Sequence, residues 1–415
     1  MLDKYITDLK QAAEIVKEYR EVTLAHHNDA DGLTSAAVIM EALTREGIKV
    51  KNIPLERVRP EIVERLVTKF KGLLLFADLG AGAAPIISKI NAEYGGGGNE
   101  IIIIDHHHAG NVQDPRVHVL STEIYGISGD KEISAAGAAY LFAKCLNKKN
   151  SDLAYLSVIG AVGDSHHRFG KLVGVNRRIL IEAVENGQVE IVSEGGKERY
   201  VLKIFDGVDS ERFAKSLTIL GAVGYLMNGP DIGIRTALKG PNAEYYQTLK
   251  NLASLKAKAF NRVTEMLKSQ GLNKGKYIQW FHVHDMFAPM GVKVIGEFCM
   301  EIRNKEFVNP YLYLAGFQNM PKEIPKLGKF SWEIVKVSFR LPSKLEEKVL
   351  KGEMPGYNYV VPCAATKVGG DVDACHGYAC ATTFSRGLEE EFIKLFDNCV
   401  EEYLMNKGKK QLKRS

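Results

Sequence analysis

The sequence predicts an α/β chain. An N-terminal domain has a mainly parallel sheet flanked by helices, a long connector helix follows, and a smaller C-terminal α+β domain ends it. Short, unbroken apolar runs such as Ile101-Ile102-Ile103-Ile104 and Leu73-Leu74-Leu75-Phe76-Ala77 read as strands buried on both faces, which points to a parallel sheet. These runs end abruptly in carboxylates and imidazoles, and helical patterns follow the first two of them. Beyond Tyr277 short strands surround a single helix instead, a pattern of α+β type.

At 415 residues and 46.0 kDa the chain has room for two or three domains with separate cores. A net charge of +5 and a pI near 8.6 permit a polyanionic partner without requiring one. The six cysteines include no Cys-x-x-Cys pair, so a structural zinc knuckle is not indicated. The cysteines are expected to be reduced, in a cytoplasmic protein. Met1 to Arg20 has both charge signs and no continuous apolar run, so neither a signal peptide nor a membrane span is expected there. It reads as an amphipathic helix with Ile6, Leu9, Ala13 and Val16 on one face.

The first strand, Glu21 to Ala25, runs into His26-His27-Asn28-Asp29-Ala30-Asp31-Gly32 and then a helix. If that turn stays extended, His27, Asp29 and Asp31 project to one side. A helix cap, with Asp31 as the capping residue, accounts for one carboxylate but not for the others. The second apolar run ends at Asp78, and a glycine turn at Gly95 to Gly98 leads into the third, which ends in Asp105-His106-His107-His108. Alanine-rich helices are expected over Glu132 to Leu146 and Leu153 to Ala161, the latter ending in Gly163-Asp164-Ser165-His166-His167-Arg168. Residues 176 to 209 read as irregular, with a charged surface excursion. Gly229 to Arg235 reads as a loop, and Asn242 to Gln270 as a helix roughly 40 Å long. Strands at Gln279 to Val283, Tyr311 to Phe317 and Ile334 to Phe339 surround a helix near Val294 to Ile302. A last helix runs from about Arg386 to Met405, before a frayed basic tail from Lys407. The expected domains are residues 1–240, a connector at 241–272, and residues 273–415.

The first domain thus collects His27, Asp29, Asp31, Asp78, His106, His107 and Asp164 at strand or helix ends. Carboxylate and imidazole donors without thiolate favour Mn²⁺, Mg²⁺ or Co²⁺ over structural zinc. Four carboxylates are too many for one ion, and two ions sharing a carboxylate suit an in-line attack on phosphorus. Arg168 is the only cation close to these motifs, so a salt-bridged cluster does not explain them.

Asp29-x-Asp31-Gly32, Asp78 at a strand end, Asp105-His106-His107 and Gly-x-x-Gly-Asp ending at Asp164 resemble the four motifs of the DHH phosphoesterase family. The C-terminal part resembles the DHHA1 domain. Gly291-x-x-x-Ile295-Gly296, Ser338-Phe339-Arg340, and Gly369-Gly370 followed by His376 stand where that domain binds substrate, although Asp371 to Cys375 intervene before the histidine. Length and motif spacing are most similar to archaeal RecJ-like exonucleases, which associate with helicases. The resemblance implies a nuclease with two divalent ions, Mn²⁺ foremost, acting on ends of single-stranded DNA or RNA, with a lean to 3′ to 5′ polarity. It implies that His27, Asp29 and Asp78 hold one ion and that Asp31, Asp78, His106 and Asp164 hold the other. His27 stands where an aspartate is usual in RecJ. His107 is expected at the scissile phosphate, Asp105 behind His106, and Arg340, His376, Gly369, Gly370, Arg235 and Arg168 on the substrate. A helicase or replisome component is the implied protein partner, and a homo-oligomer is compatible. The alternatives are a small-substrate phosphoesterase, a 5′ to 3′ RecJ-type exonuclease, or an inactive helicase-bound scaffold.

Overall fold

The apolar runs pair side by side. Strands β1 (Glu21–His27), β2 (Lys49–Leu55), β3 (Leu73–Ala77), β4 (Glu100–Asp105) and β5 (Val117–Ser121) form a sheet in the order β2-β1-β3-β4-β5. Every neighbouring pair is parallel. All of β3 and the last five residues of β4 are buried, as a sheet covered on both faces demands. The chain leaves β1 for β2 and then returns past it to β3. The carboxyl ends of β1 and β3 therefore flank a topological switch point, where open α/β sheets leave a crevice.

The computed structural model describes residues 1–94 and 98–412. Most of the glycine turn expected at Gly95 to Gly98, and the end of the basic tail, lie outside the described residues. The chain divides into two compact units, residues Met1–Leu252 with Ile324–Gly328, and Ala253–Glu323 with Lys329–Ser415. Around the sheet of the first unit lie α1 (Leu2–Lys17), α2 (Ala30–Arg45), α3 (Pro60–Lys69), α4 (Ala84–Tyr94), α5 (Ala135–Leu146), α6 (Ala154–Gly163), α7 (Gly174–Glu185), α8 (Ser210–Thr218) and α9 (Gly229–Lys239). Helix α2 is buried without a break from Ala30 to Ile39, because β1, α5 and α6 all pack against it.

Two stretches expected to be irregular are ordered. Residues 189–209 form a three-stranded antiparallel sheet of β6 (Val189–Glu194), β7 (Lys197–Leu202) and β8 (Val208–Asp209). Gly195 and Gly196, both at positive φ, make its first turn. The expected loop at Gly229 to Arg235 is the start of α9, since Pro230 occupies the first turn, where its missing N–H costs nothing.

Helix α10 (Ala243–Gln270) contains the division between the units. The second unit has a six-stranded mixed sheet of β9 (Asn273–Lys274), β10 (Ile278–His282), β11 (Tyr313–Asn319), β14 (Ile334–Arg340), β15 (Asp371–Cys375) and β16 (Ala379–Ser385), in the order β15-β16-β14-β11-β10-β9. The tiny strands β12 (Glu323–Ile324) and β13 (Gly328–Lys329) pair separately. Helices α11 (Val294–Ile302), α12 (Ser343–Leu350), α13 (Tyr357–Lys367) and α14 (Glu389–Leu412) complete the chain. Its core gathers Phe317, Phe339, Tyr357, Phe392 and Phe396. The basic tail is helical as far as Leu412.

The cysteines depart from the reduced state expected. Cys363 on α13 is bonded to Cys399 on α14, and Cys375 to Cys380 across the β15-β16 hairpin. Both pairs are made by tertiary packing, α13 on α14 and strand against strand. A spacing of five means little until a hairpin places the residues opposite each other. Cys145 and Cys299 are free. Titration of the unreduced, denatured protein with a thiol reagent is expected to find two of the six cysteines reactive. Six reactive thiols would contradict this pairing.

Candidate metal centre

β1 ends at His27, and Asp29 follows in extended backbone as the N-cap of α2, its Oδ1 accepting from Gly32 N–H at 3.1 Å. The cap is thus Asp29, and the turn expected to stay extended through Asp31 ends there. Asp31 lies in the first turn of α2 and points into the protein, 2% exposed. Its two oxygens accept from the backbone N–H groups of Ala135 and Ala136 at 2.8 and 2.9 Å. These are the free amides at the start of α5, where the helix dipole also favours a negative charge.

Two glycines make this approach possible. A Cβ at Gly32 would stand 2.4 Å from the His27 carbonyl oxygen. One at Gly160, on α6, would stand 2.3 Å from Asp31 Oδ1 and 2.7 Å from Thr34 Oγ1.

Asp78 follows β3 with φ of 61°, a left-handed conformation that costs a non-glycine residue about 1 kcal/mol or more. Its side chain is central. Oδ2 lies 3.3 Å from His27 Nδ1, which is also 3.1 Å from Asp29 Oδ2. Oδ1 lies 3.4 Å from His106 Nε2, which in turn is 3.9 Å from Asp31 and 3.8 Å from Asp164. Asp78 therefore belongs to two donor groups, one with His27 and Asp29 and one with His106.

Beyond β4, side chains alternate. Asp105 and His107 fall on one side and His106 on the other. The Asp105 Oδ1 accepts from the His107 ring at Nδ1, 2.7 Å away, and from His106 N–H at 2.8 Å, while Oδ2 accepts from Ala81 N–H at 2.9 Å. The expectation that Asp105 stands behind the His106 ring is corrected: it holds the ring of His107. The Gly129 carbonyl, 2.8 Å from His106 Nδ1, takes that part. Accepting there, it fixes a proton on Nδ1 and turns Nε2 toward the carboxylates, the ring nitrogen that a cation could take in place of a proton. His108 is 93% exposed and takes no part.

The electrostatics show a cluster short of positive charge. Burial, and then the charge of Asp78, push Asp31 well above the usual carboxylate range. Burial would lower His106, but the hydrogen bond to Asp78 and the charges of Asp164 and Asp31 outweigh it and raise it well above an ordinary imidazole. Among the described residues, the ion-pair partners of Asp31, Asp78 and Asp164 are all histidines. Hard oxygen donors with imidazole, with no Lys or Arg among the described ion-pair partners of Asp31, Asp78 and Asp164, fit divalent cations. His27, Asp29, Asp31, Asp78, His106 and Asp164 are the residues that could hold them.

The other expected site residues are spread out. Arg168 lies over the ring of Phe169, 5.0 Å from its centroid. The guanidinium of Arg235 is bonded to both oxygens of Glu244 at 3.0 Å, so its charge is already engaged. Arg340 ends β14, and its Nη2 would stand 3.0 Å from a Cβ at Gly296, so its guanidinium lies close against that glycine. Arg340 pairs with Ala379 in register and Phe339 with Cys380, so His376, in the β15-β16 turn, shares that end of the sheet. Gly369 and Gly370 do not. Asp371 pairs with Thr383, which puts the glycines beyond the opposite end of β15. The expected joint grip of Gly369-Gly370 with His376 is corrected, because the intervening residues are a strand.

The residues missed from the sequence are Gly129, Ala81, Ala135 and Ala136, which act through the backbone, and His166 with Asn176. Only His166 left a signal, two positions after Asp164.

Residues 21–161 match the DHH family, N-terminal domain. An uncharacterized protein of Methanocaldococcus jannaschii is 24% identical over 442 aligned positions, covering 95% of this chain and 99% of that protein. The crystal structure of RecJ in complex with Mn²⁺ from Thermus thermophilus is similar with a TM-score of 0.60 at 18% identity, covering 96% of this chain. The chain spans 55% of that RecJ. A crystal structure of exonuclease RecJ bound to manganese gives a TM-score of 0.55 at 18% identity, covering 96% of this chain and 94% of that one. The match to the DHH family thus covers residues 21–161, and the fold of the chain is similar to that of RecJ.

Two expectations follow from the geometry. Gly160→Ala would clash with Asp31, Ala136 and Thr34 and should cost about 1–3 kcal/mol, read by denaturant unfolding. Burial would raise Asp105, but the His107 hydrogen bond and charge and the Ala81 N–H outweigh it, lowering it from 3.8 to about 2. The stability this gives is present above the ordinary carboxylate value and disappears as pH falls through the folded one. In metal-free protein, wild type should lose about 2 kcal/mol relative to Asp105→Asn between about pH 5 and pH 2. Parallel pH profiles would contradict the pairing.

Proposed function

We propose that the chain is a metal-dependent phosphodiesterase that removes nucleotides from an end of single-stranded nucleic acid. The observation that carries the reading is the sharing of Asp78 between two donor groups, His27 with Asp29 on one oxygen and His106 on the other. His27, Asp29 and Asp78 would hold one divalent ion, and Asp31, Asp78, His106 and Asp164 a second. When bound, such ions supply charge neutralisation at the phosphate and activation of water. Support for Mn²⁺ comes from the likeness to RecJ structures that contain it.

The protein's own groups do the rest. Ala135 and Ala136 amides and the Gly129 carbonyl hold Asp31 and His106 in place before substrate arrives. The imidazole of His107 is 56% exposed and fixed by Asp105. Burial would lower it, but the Asp105 hydrogen bond and charge raise it, so the ring keeps its proton nearer neutrality. That proton is available to the leaving oxygen. In this function Arg340 and His376 would contact substrate phosphate, cleavage would run 3′ to 5′, and a helicase would be the protein partner.

The test is a length series of oligonucleotides labelled at one end or the other, incubated with Mn²⁺. Laddering of long single strands is expected, with the label position reporting polarity. Attack on dinucleotides and trinucleotides alone would replace the nuclease reading by a small-substrate phosphoesterase. Asp78→Ala should lower the rate by more than about a hundredfold with the fold intact by circular dichroism. Full activity in that variant would overturn the assignment.

A further inference from the structure

Asp164 differs from the other carboxylates of the cluster. It stands at the C-cap of α6 with its side chain 39% exposed, followed by Ser165 at φ of 61°. Asp31 is held by two backbone amides, and Asp105 by four N–H groups counting the His107 ring. Among the described residues, the one hydrogen bond to the Asp164 side chain comes from His166 Nε2, at 3.0 Å from Oδ2.

His166 itself is 2% exposed. It has two possible roles here, since its ring nitrogen lies close enough to His106 and Asp164 to count as a third donor. The side-chain amide behind it decides between them. Ser134 N–H reaches Asn176 Oδ1 at 3.2 Å, which fixes which end of that amide is oxygen. Asn176 Nδ2 then faces His166 Nδ1 at 2.8 Å and donates to it. An accepting Nδ1 means that the ring carries its proton on Nε2, the nitrogen aimed at Asp164. A protonated Nε2 has no lone pair for a cation.

We propose that His166 is a positioning residue and not a metal ligand: through the chain Ser134 N–H, Asn176 amide, His166 imidazole, it donates to Asp164 and holds that carboxylate in the cluster. Three consecutive amides at the start of α5 thereby serve two carboxylates. Ala135 and Ala136 hold Asp31 directly, and Ser134 holds Asp164 through two side chains.

The inference rests on the metal-site reading above, and one titration separates the two. Mn²⁺ binding to the full chain is measured by calorimetry for wild type, His166→Ala and His166→Gln, each checked for folding by circular dichroism without metal. Glutamine can present an N–H close to where Nε2 stands but is a poor ligand for the ion. His166→Ala is expected to weaken the second binding event about 10–100-fold, and His166→Gln to restore it to within about threefold of wild type. Equal losses in both variants would make His166 a ligand and overturn the proposal, as would unchanged binding in His166→Ala. No binding by the wild type would overturn the metal-site reading and this inference with it. Histidine-selective ¹⁵N NMR of the Mg²⁺-loaded chain adds a readout independent of folding defects. A proton on His166 Nε2 supports the positioning role, and its loss on metal addition contradicts it.

Discussion

Asp29, Asp31, Asp78 and Asp164 converge on two imidazoles, and the first unit is arranged around making that tolerable. Like charges so close, two of them buried, repel one another in a medium that screens poorly. The fold answers with fixed donors. The start of α5 meets Asp31, the cap of α2 meets Asp29, and His166 meets Asp164. These contacts orient the carboxylates without cancelling their charge, and the elevated Asp31 and His106 register what is left over. A divalent cation would complement that charge, and a buried framework of donors could hold one without rearrangement.

The sheet was legible because its physics is local. A strand buried on both faces must be apolar throughout, so β3 and β4 stand out, and whatever follows them lies at the carboxyl edge. Asp164 follows a helix, α6, whereas Asp78 and His106 are placed at that edge by this reasoning. It failed one step further in. Asp31 was placed on an extended turn, yet α2 begins at Ala30 because Asp29 caps it. Asp105 was assigned to its neighbour His106, although alternation along an extended chain gives it to His107. The anchors at Gly129, Ala135 and Ala136 were not legible at all. A backbone amide or carbonyl has no residue-type signature, and the partners lie 23, 104 and 105 residues away.

The second unit shows the same limit at the level of a motif. Gly369-Gly370 and His376 look like one recognition element in the sequence. Asp371 to Cys375 form an edge strand between them, so the register with β16 sends the glycines and the histidine to opposite ends. Arg340 and His376 remain together because β14, β16 and β15 are successive neighbours. The Cys375–Cys380 bond closes the hairpin that carries His376, a pairing that only the strand register makes visible. The guanidinium of Arg340 lies against Gly296 at the same end of the sheet.

The central claim is that Asp78 is shared by two divalent ions. Anomalous diffraction at the manganese edge, from crystals of the full chain grown with Mn²⁺, tests it without reference to any substrate. Two peaks are predicted, one beside His27 and Asp29 and one beside His106 and Asp164, with an oxygen of Asp78 contacting each. A single peak that leaves either group empty, or peaks that do not touch Asp78, would contradict it.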